Sequence, residues 1–204
     1  MIKITEFLFK ATLPVMLSFV LLACGSSPPV HYYALSPIDA VDKPEHENPV
    51  LLGLGPIRIP EYLNRKHIIT RGENAEIMVD QNNRWAESLS IAIHRIVSAD
   101  IDNLLDRVVV ITFPYDAVVA QHIQYRMLGE LSRFEANAAG QVTLEVQWGI
   151  VDRDNLLLVP IRRSRYKAQA TQPGDINSIV NAMNNALSQF SRDIADQMDT
   201  ALGS

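Results

Sequence analysis

The chain has one cysteine in 204 residues. That excludes an intrachain disulfide, an all-cysteine zinc site and a C-x-x-C redox pair together. A basic excess is also missing: 18 Lys and Arg against 23 Asp and Glu give a formal net charge of -5. Nothing is therefore available to displace counterions from phosphates as a general nucleic-acid binder must. No apolar run reaches the roughly 20 uninterrupted residues of a spanning helix, because Glu6 and Lys10 break the N-terminal one. There is no G-x-S-x-G elbow and no P-loop, and Gly53-x-Gly55 fails as a dinucleotide fingerprint at Arg58. His31, His46, His67, His94 and His122 never fall at i, i+4 spacing, and the run from Asp152 to Asn155 lacks, at Leu157, the glycine of a calcium loop. With no carrier for nucleophilic, metal or cofactor chemistry, the chain reads as a non-enzyme that needs no cofactor.

What is present is the composition of a folded domain: 48% hydrophobic residues, with 11 Pro and 9 Gly as an ordinary load. A length of 204 residues suits one domain at roughly 150 residues each. The first 23 residues read as a signal peptide, with Lys3 and Lys10 in a basic region, an apolar stretch from Ala11 to Leu22, and the small Ala23 at the cleavage point. Leu21-Leu22-Ala23-Cys24 resembles the lipobox of bacterial lipoproteins, which makes Cys24 the acylated first residue of the mature chain. Two or more acyl chains hold a protein on a bilayer, each buried methylene contributing about 0.8 kcal/mol. Position 25 is Gly rather than Asp, so the lipoprotein sorting rule sends the chain to the outer membrane. Residues 24–30 form a Ser/Pro tether and residues 31–204 a single periplasmic domain.

Within that domain, residues 31–36 and 50–59 read as strands, the second edge-located or bulged because of Gly53, Gly55 and Pro56. Residues 67–71 and 75–80 form a hairpin. Trp85, Leu89, Ile93, Ile96, Ile101 and Leu104 predict a helix capped by Asn82 or Asn83. The apolar run from Arg107 to Phe113 predicts a central strand covered on both faces. Segments 123–134, 141–151 and 156–168 form a three-strand meander, in which Val142, Leu144, Val146, Trp148 and Ile150 point one way. A last helix starts near Asp175 with Ile176, Ile179, Met183, Leu187, Phe190, Ile194 and Met198 on one stripe. The fold class is α+β, a mostly antiparallel sheet with two main helices packed on one face.

Two features are candidate interaction surfaces. Arg162, Arg163, Arg165 and Lys167 cluster on the last strand, with Arg163, Arg165 and Lys167 alternating onto one face. A solvated face is the commoner explanation of such a row, with an acidic partner or lipid headgroups as the alternative. Tyr62 and Leu63 are flanked by Arg58, Arg65 and Arg71, the composition of a binding hot spot, with core packing as the alternative.

Four stretches together resemble a family: Y-Y-A-L-S-P at 32–37, I-x-I-P-E-Y-L-N-R-x-x-I-I-T-R at 57–71, R-W-A-E-S-L at 84–89 and Y-R-M-L-G-E-L-S-R-F-E at 125–135. They look like the PqiC family, the ABC-type transport auxiliary lipoproteins of Gram-negative bacteria. The resemblance implies a fold similar to the N-terminal domain of TolB and a partner role in envelope lipid transport. The implied partners are a periplasm-bridging MCE-domain protein (PqiB-like) and, through it, an inner-membrane subunit (PqiA-like). It makes Cys24 the anchor and Ile59, Pro60, Tyr62, Leu63, Arg65, Thr70, Arg71, Arg84 and Trp85 motif positions. Since MCE proteins form closed rings, a homo-oligomeric ring of this chain would match such a partner. The alternative function is a lipid-binding shuttle with an apolar groove.

Overall fold

The computed structural model describes residues 28–44 and 47–203. The signal segment, Ala23, Cys24 and His46 lie outside the described residues. Eight strands and three helices occur among them: β1 His31–Tyr33, β2 Val50–Arg58, β3 His67–Arg71, β4 Ile77–Trp85, α1 Leu89–Leu104, β5 Val108–Thr112, α2 Ala117–Ala120, β6 Tyr125–Asn137, β7 Gln141–Asp152, β8 Leu157–Gln169 and α3 Ile176–Leu202.

All eight strands form one mixed sheet around β6. On one side β6 carries the long antiparallel ladders to β7 and then β8. On the other side it pairs in parallel twice: its first half with β2, which continues to β5, and its end with β3, which continues to β4 and β1. A 13-residue strand is long enough to serve two neighbours end to end. The expected α+β class and two helices on one face hold: α1 packs on β2 and β5, α3 on β6, β7 and β8, and the helices pack on each other.

The α3 stripe forms as its spacing predicts. Asp175 caps it by accepting from Ser178 N–H at 2.8 Å, and Gly203 ends it at φ 74°, a left-handed value that glycine adopts without a Cβ clash. Ile179, Met183, Leu187, Phe190, Ile194 and Met198 are all buried. Phe190 meets the Trp148 ring edge-on at 5.8 Å, and the Tyr166 ring packs on it at 5.7 Å.

Three expectations are corrected. The first helix starts at Leu89, after Ser88, because Asn82 and Asn83 belong to β4, where their N–H groups donate to Asp80. Trp85 is consequently the last residue of that strand rather than part of a helix stripe, and it is buried. The apolar strand β5 stands at the edge, not the centre: α1 covers one face, which accounts for buried Val108, while Val109 on the other is exposed. Conversely β2 is internal between β5 and β6, though bulged as expected, with its register shift between Leu54 and Ile57. That bulge sits at Gly55, whose φ is 105° and where a Cβ would fall 3.0 Å from the Phe113 Cβ and 3.1 Å from the His94 ring, so there is no room for a side chain.

Candidate functional site

The face of the sheet away from the helices divides into a polar end and an apolar end. At the polar end, where β6 finishes, Glu135 is completely buried yet charged in kind. Its carboxylate accepts from Arg71 Nε at 2.7 Å, Arg133 Nε at 2.9 Å, the Tyr62 hydroxyl at 3.1 Å and the Phe134 N–H at 3.1 Å. A buried carboxylate persists only when paired and hydrogen-bonded, and four donors supply that. The β6 bulge between Leu131 and Arg133 resets the alternation, so that Arg133 and Glu135 lie on the face that Leu128 and Glu130 occupy before it. Burial, with the Glu135 charge beside it, pushes the Tyr62 phenol up to about 12, and the hydrogen bond to Glu135 raises Arg71 above its ordinary value.

The candidate pair Tyr62 and Leu63 therefore splits. Tyr62 joins this cluster, whereas Leu63 is a core residue, 1% exposed. Arg71 is the cluster's cation from β3, while Arg58 and Arg65 point to solvent and are not part of it. Glu135 and Arg133 are the members that sequence reasoning missed. The signal for Glu135 lay in the resemblance, since the 57–71 and 125–135 stretches end on Arg71 and Glu135, the two residues that pair.

The basic strip lies beside this cluster. Arg163, Arg165 and Lys167 are exposed on the outer face of β8 as the alternation predicts, and Arg165 Nε pairs with Glu145 at 2.9 Å across the β7 ladder. Arg162 points the other way, over the Trp148 ring at 5.4 Å and onto Gln197 of α3.

At the apolar end, where β6 begins, a groove of about 270 Å³ is lined by Pro56, Leu128, Gly149, Val151, Leu157 and Ile161. Leu128, Leu157, Ile161, Leu156 and Phe113 are exposed there. A larger trough of about 810 Å³ runs along α1 and the open edge of β5, past Ile91, Val110 and Phe113. The described chain enters from the opposite end. Because β1 is parallel to β4, β4 antiparallel to β3 and β3 parallel to β6, β1 starts toward the end where β6 finishes. At about 3.3 Å per residue, the two ends of the sheet are roughly 35 Å apart.

The sequence profile described as the ABC-type transport auxiliary lipoprotein component matches residues 33–195. The chain belongs to this family. The expected kinship thus covers nearly the whole described domain and makes the chain an auxiliary lipoprotein of an ABC-type transport system, a class of the cell envelope. No curated protein matches the chain. Among solved structures, a protein of Xanthomonas campestris aligns at 16% identity over 84% of this chain and 96% of its own, with a TM-score of 0.65. An uncharacterized protein aligns at 18% identity over 84% of this chain and 99% of its own, with a TM-score of 0.69. At these identities the likeness is one of fold. TolB of Acinetobacter baumannii also aligns, at 14% identity over 83% of this chain and 31% of its own, with a TM-score of 0.36.

Proposed function

We propose that this family member is anchored through Cys24 at the outer membrane and docks a periplasm-spanning MCE-domain protein there, as a non-catalytic subunit of a PqiABC-like lipid transport system. The observation that carries the reading is the two-ended domain: the described chain enters at one end of the sheet, and the exposed cluster of Leu128, Leu156, Leu157 and Ile161 lies toward the other. From Cys24 to Pro28 the chain spans at most about 14 Å, so an anchor at Cys24 keeps the polar end near the bilayer and leaves the apolar end free to meet a protein. Through that partner the chain would connect to a PqiA-like inner-membrane subunit. A ring of copies would match the symmetry of an MCE ring.

The test is a crosslinking pull-down from intact cells with wild type and Cys24→Ala, followed by mass spectrometry. Capture of an MCE-domain protein, weakened by loss of the anchor, is the expected result. Absence of such a protein from a well-expressed wild-type sample rejects the docking role. Mass photometry that finds only monomers across micromolar concentrations rejects the ring.

The trough beside α1 favours a second reading, a lipid-binding shuttle. Its apolar lining suits an acyl chain. Native mass spectrometry of protein purified from cells separates the two, because a shuttle retains lipid and a docking subunit does not.

A further inference from the structure

We propose that the outer edge of β8 binds a partner protein by strand addition, taking an extended segment with Asp or Glu at alternate positions. The inference rests on the reading of the chain as a docking subunit and names one surface and the chemistry it accepts.

The hydrogen-bond phase of the sheet locates the open groups. Ala170 N–H donates to Gly140 C=O at 2.9 Å, and the register runs back from Gln141 opposite Gln169 to Trp148 opposite Arg162. Antiparallel ladders bond alternate residues, so the even-numbered residues from Arg162 to Ala168 use their backbone groups on β7. Those of Arg163, Arg165 and Lys167 face away from it. The Lys167 C=O accepts from Gln189 Nε2 at 3.2 Å, which confirms the phase. The backbone groups of Arg163 and Arg165 have no strand beside them among the described residues. At 13 residues β8 is also a much longer edge than β5 or β1.

The same residues carry the charge. Arg163, Arg165 and Lys167 project from one face of that edge, and among the described residues Glu145 pairs with Arg165. On a chain of net charge -5 this strip runs against the mean, which is the condition for charge complementarity with an acidic segment. A strand laid along β8 places every second side chain directly across from Arg163, Arg165 and Lys167, where opposite charges stabilise the pair. Main-chain bonds then give affinity and the alternating acids give selectivity. Charge on an edge also discourages pairing with like-charged strands, so the acceptable partner is narrowed to an acidic one.

The test uses the full chain in mild detergent and two fluorescent ten-residue probes, one alternating Glu and Val, the other Lys and Val. Fluorescence anisotropy should show the Glu probe binding at least about tenfold more tightly. Arg163→Glu with Lys167→Glu should abolish that preference. Arg163→Pro is the sharper variant, because it removes an outward N–H and leaves the β7 ladder intact; it should lose most of the binding while circular dichroism is unchanged. Should Arg163→Pro unfold the chain, amide exchange of the wild type replaces it, with slowed exchange at Arg163 and Arg165 on adding the Glu probe as the expected result. Equal binding of both probes, binding that survives Arg163→Pro, amides that exchange unchanged, or binding of anionic vesicles in place of the peptide each overturns strand addition. Pull-down of an MCE-domain protein that persists in the β8 variants overturns this surface alone. Loss of pull-down in the wild type with peptide binding intact overturns the docking role alone.

Discussion

Arg71 Nε donates to Glu135 Oε1 at 2.7 Å, fastening the last residue of β3 to the end of β6 where only two residue pairs join those strands. The backbone contact there is slight, so the side chains must hold the junction. A carboxylate with no exposure at all, shared by two guanidiniums and a phenol, is the means.

Removing Glu135 should therefore cost more than an average substitution. Glu135→Ala leaves Arg71 and Arg133 without their counter-charge, and the loss should be about 3 kcal/mol, at the low end for broken buried pairs because both arginines reach water. Glu135→Gln keeps an acceptor and should cost less. Urea unfolding of the two variants checks the order, and equal or negligible losses would remove the cluster from the account of stability.

Three tyrosines should ionise late. Burial, reinforced by Glu135, pushes Tyr62 up to about 12, burial alone does the same for Tyr115, and burial raises Tyr166 as well. A phenol whose folded value lies above its unfolded one stabilises the fold fully below about pH 10, and that contribution is lost as pH rises through about 12. Absorbance at 295 nm should resolve a late-titrating group of tyrosines, and Tyr62→Phe should remove one of them. Titration of Tyr62, Tyr115 and Tyr166 near the free value would contradict the packing.

Asp100 links α1 to α3 and to the segment after β1. It is fully buried, accepts from Ile38 N–H at 2.8 Å and from the Ser191 hydroxyl at 2.9 Å, and burial raises its carboxyl above the ordinary range. Stability from this group is therefore present at acid pH and falls as pH rises through the folded value. Asp100→Asn preserves the Ile38 bond and donates to Ser191, whose hydroxyl also reaches Leu187 C=O. It should be neutral or stabilising at pH 7, within about 1 kcal/mol, with a flatter pH profile. Asp100→Ala should be clearly destabilised in the same thermal melts.

The aromatic contact between sheet and helix supplies the largest core effect. Phe190→Ala empties the space against Trp148 and Tyr166 and should cost about 3–5 kcal/mol. Denaturant titration gives the value, and a loss under about 1 kcal/mol would mean that α3 is not packed there as described.

The amino-acid sequence by itself determined the elements whose periodicity is local. The α3 stripe, the alternation of Val142 to Ile150 and the outward row of Arg163, Arg165 and Lys167 depend only on residues a few places apart. The tertiary structure decided what depends on distant pairing. Val108 to Thr112 reads as a buried central strand because an apolar run looks alike under a helix or between strands, and only its partner list makes it an edge. Asn82 and Asn83 look like helix caps, but Asp80 accepts from both N–H groups and Asn83 pairs with His31 of β1, which draws them into β4. Glu135 is the clearest case. Nothing in its neighbourhood along the chain calls for a buried acid; a bulge in β6 and donors from Tyr62, Arg71 and Arg133 make the burial sustainable. Periodicity is written locally, whereas the energy of a buried charge is settled by whatever the fold brings against it.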